Sequence, residues 1–182
     1  MKVMKKTFFL LLPLIGIFFF LSCNSGLSEE EKKKLVEHCT NGDAKLITGH
    51  YSEAIDDYNQ AIEIDPKDAS IYVNRGRAKQ EIGDFSGAIK DYSKAIEVDP
   101  KYSSSYGHRG KIKFDLGDKR GAIDDYNKAI DNDPSNENIG GWYYNRGVAK
   151  LQTGEQSGCI DLSKAGELGC VEAFELIKEY CN

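Results

Sequence analysis

Histidine is scarce in this sequence, which holds only His38, His50 and His108 among 182 residues. A zinc site needs three or four convergent ligands, and these three residues stand far apart along the chain. His38 beside Cys39 does not change this, because neighbours on a helix point in different directions. There is also no glycine-rich phosphate loop and no serine, histidine and aspartate set with a common location. The sequence therefore predicts no cofactor, no metal site and no enzymatic activity.

Positive charge is also in short supply. The chain has 24 basic and 29 acidic residues and a net charge of −5. The first 22 residues contain three lysines and no acid, so the remainder carries −8. The longest basic run, Lys32 to Lys34, is expected on a solvated helix face. Because nucleic-acid binding depends on Lys and Arg, nucleic acid is not a predicted partner.

Proline is rare as well, yet three of the four prolines are evenly spaced. Pro66, Pro100 and Pro134 stand 34 residues apart. Three further sets keep this spacing: Gly42, Gly76 and Gly110; Gly49, Gly83 and Gly117; Ala54, Ala88 and Ala122. A repeat of this length is typical of a solenoid of helix–turn–helix units.

Residues 69–102 form one complete unit. Tyr72, Ala78 and Ile82 lie on one face of a predicted first helix. Gly83 ends that helix, Asp84 caps the second, and Pro100 prevents its continuation. The second helix has an apolar stripe of Phe85, Ala88, Ile89, Tyr92, Ala95 and Ile96. Small residues at Gly76, Ala88 and Ala95 are expected to let the two helices approach closely.

The unit resembles the tetratricopeptide repeat. The matching residues are Tyr72, Gly76, Gly83, Ala88, Tyr92, Ala95 and Pro100. The resemblance covers the chain from about Leu35 to its end and implies an all-α, right-handed α-solenoid. The implied repeats are about 35–68, 69–102, 103–136 and 140–169, followed by a capping helix at 170–181, all within one domain at 28–182.

Arginine departs from the family pattern once per repeat. Arg75, Arg109 and Arg146 replace a leucine that faces the second helix in the family. Aspartates recur on that second helix at Asp57, Asp91 and Asp125. A buried arginine needs a partner, so an Arg–Asp ladder is predicted, with ligand contact as the alternative. In repeat four Leu162 holds the aspartate position, and Asp161 is the nearest substitute.

The outer repeats are irregular. Ser28 and Glu31 form a capping box that starts the first helix, and His38 and Asn41 replace the usual aromatic and leucine. Repeat four has three extra residues in 135–141, so a longer turn or an extended helix bearing Trp142, Tyr143 and Tyr144 is expected. In its second helix Cys159 is assigned to the alanine position and Ser163 to the tyrosine position. A closing helix from Val171 to Tyr180 is expected to pack through Ala173, Leu176 and Ile177.

The first 27 residues resemble the leader of a bacterial lipoprotein. Three lysines precede a 14-residue apolar run, Phe8 to Leu21, which is short for a membrane span. Residues 1–22 are interpreted as a signal peptide, Cys23 as the acylated first residue of the mature chain, and 23–27 as a tether. Phe20 and Leu21 depart from the usual pattern. An ordinary signal peptide and a retained anchor are the alternatives. The predicted location is the bacterial cell envelope, with Asn24 favouring the outer membrane.

Export makes disulfide formation possible for the remaining cysteines. The second helix of repeat four and the closing helix should run antiparallel around Gly169, and Cys159 and Cys181 are nearly equidistant from that turn. They are the predicted pair. Cys170 is too far along the closing helix from Cys181, and Cys39 is expected in the core.

The resemblance further implies that the first helices line a concave groove that binds protein partners. The groove residues expected to contact a partner are Asn74, Arg77, Gln80, His108, Lys111, Tyr144 and Asn145. Arg77 and Lys111 are predicted to attract an acidic or carboxylate group of an extended peptide. A merely solvated face is the alternative. A family subtype with a Lys/Asn carboxylate clamp is not predicted, because Cys39 and Asp43 hold its first two positions.

The predicted function is that of a lipid-anchored scaffold or adaptor that binds a protein or peptide in this groove. The alternative is an accessory lipoprotein of an envelope assembly complex, docked through its outer surface.

Overall fold

A computed structural model of the protein describes residues 26–181, which form nine helices and contain no strand. The proposed signal peptide and Cys23 lie outside these residues. The helices are α1 Glu29–Ile47, α2 Tyr51–Ile64, α3 Ala69–Glu81, α4 Phe85–Val98, α5 Ser103–Asp115, α6 Lys119–Asn132, α7 Ile139–Gln152, α8 Gly158–Glu167 and α9 Ala173–Tyr180. Each of α1, α3, α5 and α7 packs mainly on the helix that follows it, and successive pairs stack in chain order. The predicted all-α solenoid is confirmed. None of the described helices has the length and apolar character needed to cross a bilayer.

Caps and glycines set the helix limits as expected. The Ser28 hydroxyl accepts from the Glu31 N–H at 3.2 Å, and the Glu31 carboxylate accepts from the Ser28 N–H at 2.8 Å. Asp84 accepts from the Gly87 N–H at 2.9 Å and so caps α4. Gly83 has φ of 81°, a left-handed conformation that stops α3 at minimal cost.

The core of each regular repeat is a tyrosine packed beneath a glycine. Tyr92 and Ala88 are fully buried. A Cβ atom on Gly76 would lie 2.7 Å from the Tyr92 ring, so only glycine permits this approach. The buried apolar faces are shorter than predicted. Ile82 and Phe85 were assigned to them, but these residues lie beside the turn between the two helices and are 50% and 40% exposed.

Repeat four places two of its three extra residues in the turn before α7 and one within α7. This helix begins five residues after Pro134, whereas α3 and α5 each begin three residues after a proline. It is also one residue longer than those helices, at 14 against 13 residues. Both of the expected changes, a longer turn and an extended helix, are therefore present.

The assignment of positions on α8 was wrong by one residue. Gly158, Asp161 and Leu162 are buried where Ala122, Asp125 and Tyr126 are buried in repeat three, and Cys159 and Ser163 are not. The reason is a one-residue deletion in the turn: Asp125 follows Gly117 by eight residues, but Asp161 follows Gly154 by seven. Because Leu162 replaces the bulky tyrosine, the backbones of α7 and α8 come into contact. A Cβ on Gly158 would lie 2.5 Å from the carbonyl oxygen of Gly147.

The closing helix α9 covers the end of the stack. Ala173 is fully buried against Leu162 and Ala165, and Leu176 and Ile177 pack around them. A disulfide joins Cys159 and Cys181, whose α-carbons are 5.7 Å apart. This is the pair expected from the sequence, and Cys39 and Cys170 carry free thiols in the structure.

Candidate binding groove

The three repeat arginines form the expected ladder with aspartates. Arg75 donates from Nε and Nη2 to the two carboxylate oxygens of Asp91, at 2.9 and 2.6 Å. The same paired bonds join Arg109 to Asp125 and Arg146 to Asp161. Each of these aspartates also forms an ion pair at 2.8 Å with a lysine that lies one helical turn after the arginine. These lysines are Lys79, Lys113 and Lys150. The lysines recur with the repeat, so the signal was present in the sequence, but the prediction missed them.

Repeat one lacks this arrangement. Asn41 replaces the arginine, and Asp57 instead lies 2.8 Å from Lys45 and 3.6 Å from His38. Asp57 was predicted as part of the ladder, and that assignment is wrong because no arginine reaches it.

The arginines also link neighbouring repeats. A third group of each, Nη1, donates to a side chain on the second helix of the preceding repeat, at Asn59, Ser93 or Asn127. With Nε and both terminal nitrogens bonded inside the protein, these arginines hold the stack together and leave little to offer a ligand.

The groove is the surface formed by equivalent residues of the first helices α1, α3, α5 and α7. Three sets of equivalent residues run along it: Thr40, Asn74, His108 and Asn145; Asp43, Arg77, Lys111 and Val148; Leu46, Gln80, Phe114 and Leu151. Hydrogen bonds join these residues both between helices, from α3 to α1, and within α3. Asn74 donates to Asp43 at 3.1 Å and accepts from Arg77 at 3.5 Å.

Arg77 is exposed, and no carboxylate oxygen of residues 26–181 lies within 4 Å of its guanidinium group. Its hydrogen-bond partner is the neutral Asn74 amide. Lys111, the equivalent cation in repeat three, is neutralised by Asp115 at 2.9 Å. Arg77 is therefore the stronger candidate of the two for attracting an anion.

His108 lies beside Arg77 as a neutral side chain. Its ring stacks on Tyr92 with centroids 5.4 Å apart. Burial, helped by the positive charge of Arg77, lowers the pKa of His108 to about 4. At neutral pH its ring can donate and accept a hydrogen bond without adding charge.

These residues share a cleft, called here the Arg77 cleft. It is lined by Val73, Asn74, Arg77, Tyr102, Ser104, His108, Glu137 and Asn138. Glu137 and Asn138 come from the lengthened turn before α7, and sequence reasoning missed them because an inserted turn has no equivalent in other repeats. Asn74, Arg77 and His108 are brought together as expected.

The other predicted contact residues lie elsewhere. The Gln80 side chain accepts from the Tyr92 hydroxyl at 3.2 Å. Tyr144 packs around the buried Leu162 in the C-terminal cluster. Lys111 and Asn145 are not among the residues that line the Arg77 cleft.

The N-terminal end of the groove is anionic. The pKa of the Cys39 thiol is raised, first by burial and then by the charges of Asp68, Asp43 and Asp65. This thiol is partly buried against the core of repeat one, as expected. Within the described residues, no three histidine, cysteine or acidic side chains are arranged to hold a metal ion.

Family models of the tetratricopeptide repeat match residues 69–102 and 103–136, and a TPR repeat model matches residues 42–83. Together they span more than half of the chain. A comparison with curated protein sequences found no match.

Solved structures with the same fold include complexes with peptides. The TPR2B domain of yeast Sti1 in complex with pHsp70 is 26% identical, with a TM-score of 0.59, and the match covers 66% of this chain and 98% of that one. The second TPR domain of human RPAP3, in complex with the HSP70 peptide SGPTIEEVD, is 25% identical, with a TM-score of 0.60 and the same coverage. PilF of Pseudomonas aeruginosa shares the fold at 17% identity, with a TM-score of 0.72, over 84% of this chain and 73% of that one.

Proposed function

Since the chain belongs to the tetratricopeptide repeat family of protein-interaction scaffolds, we propose that it binds an extended segment of a protein partner in the groove. We further propose that a lipid on Cys23 holds it at the bacterial cell envelope. No catalytic role is part of this proposal.

The observation that carries the proposal is the exposed charge of Arg77, which forms no ion pair within residues 26–181. A guanidinium group can bind a carboxylate through two parallel hydrogen bonds. In this groove no acidic side chain of residues 26–181 competes for it within 4 Å, and Asn74 holds it on one side. An acidic group of the partner is therefore the expected occupant.

The neighbouring side chains suit the backbone of such a segment. Asn74, Asn138 and the neutral His108 lie in the same cleft, and amide and imidazole groups both donate and accept hydrogen bonds. Two related domains, those of Sti1 and RPAP3, were solved with peptide partners, and the RPAP3 peptide SGPTIEEVD is acidic. This supports an acidic segment as the class of ligand.

The test begins with crosslinking in the native cell to identify the partner, followed by titration of that partner against two variants. We expect Arg77→Gln to weaken binding by about tenfold, an amount that corresponds to roughly 1.4 kcal/mol. It should also reduce the salt dependence, since ions screen exposed charges. The matched variant Lys111→Gln should have a much smaller effect, because Asp115 already neutralises Lys111.

Circular dichroism shows whether the helices survive each change. An unchanged affinity for Arg77→Gln with intact helices would contradict binding at the Arg77 cleft. It would favour the alternative, in which the protein docks on an envelope complex through its outer surface.

The lipid anchor has its own test, because it rests only on the leader sequence and not on the described residues. Intact-mass measurement of protein extracted from membranes should show loss of residues 1–22 and the added mass of more than one acyl chain, since a single chain binds membranes only marginally. A mature chain that begins at another residue and has no acyl mass would refute the anchor without touching the groove.

A further inference from the structure

The groove changes from charged to apolar at its C-terminal end. The set that contains Arg77 and Lys111 continues with Val148, and the set that contains Gln80 and Phe114 continues with Leu151. Both residues lie on α7, whose register is fixed by the Arg146–Asp161 ion pair. The same surface that presents a cation in repeat two therefore presents aliphatic side chains in repeat four.

The closing helix turns this apolar surface into a slot. Leu176 and Tyr180, one turn apart on α9, line it together with Val148, Leu151 and Gln152 of α7. This group is called here the terminal slot. It forms where α9, which packs on α8, comes alongside α7. Its volume is about 210 Å³, whereas an apolar cavity of about 150 Å³ is enough to bind benzene.

We propose that the terminal slot binds one bulky apolar side chain of the segment whose acidic group binds Arg77. The inference rests on the proposed function, because it takes the slot as the continuation of the same groove. The ligand would therefore have two anchoring groups. An Asp, a Glu or a terminal carboxylate binds Arg77, and a Leu, Ile, Met or Phe enters the slot.

The stacking of the repeats sets the spacing between the two anchors. Arg77 lies on α3 and the nearer wall of the slot on α7, so two steps between first helices, α3 to α5 and α5 to α7, separate them. Packed helices are about 8–10 Å apart, which gives roughly 16–20 Å. An extended chain advances about 3.3 Å per residue. The acidic and apolar residues of the ligand should therefore be about five or six positions apart.

The disulfide makes the slot a fixed site. Cys181 directly follows Tyr180, and its bond to Cys159 attaches the end of α9 to α8. Ala173 anchors the other end in the core. Both ends of α9 are thus held, and Leu176 and Tyr180 stay opposite Val148 and Leu151.

The experiment is a selection of random dodecapeptides displayed on phage against the full-length protein solubilised from membranes. The selected sequences should share an acidic residue and a bulky apolar residue five or six positions apart. A synthetic, fluorescently labelled peptide of the selected sequence is then titrated against the protein and its variants.

Two aromatic residues on α9 provide a matched pair of variants. Tyr180 lines the slot and is 53% exposed, whereas Phe174 does not line it and is 55% exposed. Tyr180→Ala should weaken binding of the peptide by about tenfold, as expected for loss of an aromatic contact residue. Phe174→Ala should change it less than about twofold. Replacing the apolar residue of the peptide by serine should cost little further affinity in Tyr180→Ala, because the two changes remove the same contact.

The outcomes separate this inference from the proposed function. Selected peptides that need Arg77 but have no apolar residue, or that are insensitive to Tyr180→Ala, would overturn the slot and leave the groove intact. A loss confined to Phe174→Ala would also overturn it and would point to the surface around Phe174, beside Gly166 of α8, as the contact. A selection that recovers no peptide dependent on Arg77 would overturn the groove and the slot together.

Discussion

Arg75 and Arg77 stand only two residues apart on α3, and their surroundings give them different roles. Arg75 points towards α4 and bonds Asp91 with two nitrogens. Arg77 faces the groove, and within residues 26–181 its hydrogen-bond partner is the amide of Asn74. Two residues correspond to about 200° around a helix. Identical side chains are therefore structural on one face and available to a partner on the other.

His108 predicts a pH dependence of stability. In the folded chain its pKa is about 4, against about 6.5 for an unperturbed histidine. Between these values the unfolded chain binds a proton at this residue and the folded chain does not. The free energy of unfolding should therefore fall as the pH is lowered from 6.5 to 4, by an amount on the order of 1–3 kcal/mol from this residue.

Urea unfolding at several pH values measures this effect. Because carboxylates also begin to titrate in this range, the informative quantity is the difference between the protein and a His108→Asn variant. The variant should lose less stability over the same interval. Parallel pH curves for the two proteins would mean that His108 does not account for the change.

At the scale of elements, a cluster of one aspartate, one arginine and one lysine joins the helices of each of repeats two, three and four. In repeat three Asp125 is buried between Arg109 and Lys113, at 2.7 and 2.8 Å. Removing one charge from a buried ion pair is costly because its partner remains without compensation. The cluster is therefore sensitive to loss of the aspartate, whatever its net contribution to folding.

Asp125→Asn should lower the free energy of unfolding by about 3 kcal/mol, the low end for a buried ion pair, because Arg109 and Lys113 retain some contact with water. Asp124→Asn makes the same chemical change one residue away at an exposed position on α6, and should have an effect within about 0.5 kcal/mol. Chemical unfolding of both variants compares them directly. Equal losses would show that total charge matters and that the ion cluster does not.

The regular repeats could be predicted from the sequence because each position is supported by an equivalent residue 34 positions away. The glycines, the tyrosine core and the pairing of Arg75 and Arg109 with aspartates all follow from that period. The register of α8 could not be derived in the same way. One residue is missing from the turn that follows Gly154, so counting onward with the spacing of the regular repeats places the equivalent positions of α8 one residue too late.

The candidate site was predictable only in part. Asn74, Arg77 and His108 follow from the repeat and line one cleft. Arg77 and Lys111 occupy equivalent positions, but Lys111 forms an ion pair with Asp115 one turn away. The repeat pattern alone does not distinguish the two cations. The terminal slot depends on how α9 sits on α8, and an element that occurs once has no equivalent from which to infer its packing.

At the scale of the whole molecule, the two ends of the stack are finished differently. The first helix begins with a capping box, whereas the last is fastened by the Cys159–Cys181 bridge across 22 residues. An end helix is packed on one side only. The bridge therefore lies where the stack has least support from neighbouring repeats.

Loss of this bridge should loosen α9 before the remainder of the stack. For a loop of this size the stabilisation is about 3 kcal/mol in the chain-entropy description. Hydrogen exchange of a Cys181→Ser variant should show faster exchange of the α9 amides, with α3 to α6 nearly unchanged. Cys170→Ser, which removes a thiol that is free in the structure, should leave the exchange of α9 close to that of the unaltered protein.

Non-reducing peptide mapping of the exported protein tests the bridge itself. A linked peptide that contains Cys159 and Cys181 is expected. Free thiols at both positions would contradict the pairing, and the α9 prediction would then have no basis.

The backward reach of the arginines bears on how such a chain can grow by duplication. A second copy of residues 69–102 inserted after residue 102 would bring its own Arg75 and Asp91, and its arginine would meet Ser93 of the original unit just as Arg109 does. The Ser93 hydroxyl of the new copy would in turn accept a hydrogen bond from Arg109. Repeat one has Asn41 in place of the arginine, and its first helix, α1, is the first helix among residues 26–181. A single in-frame duplication would thus leave no bond without a partner and would lengthen the groove by one helix.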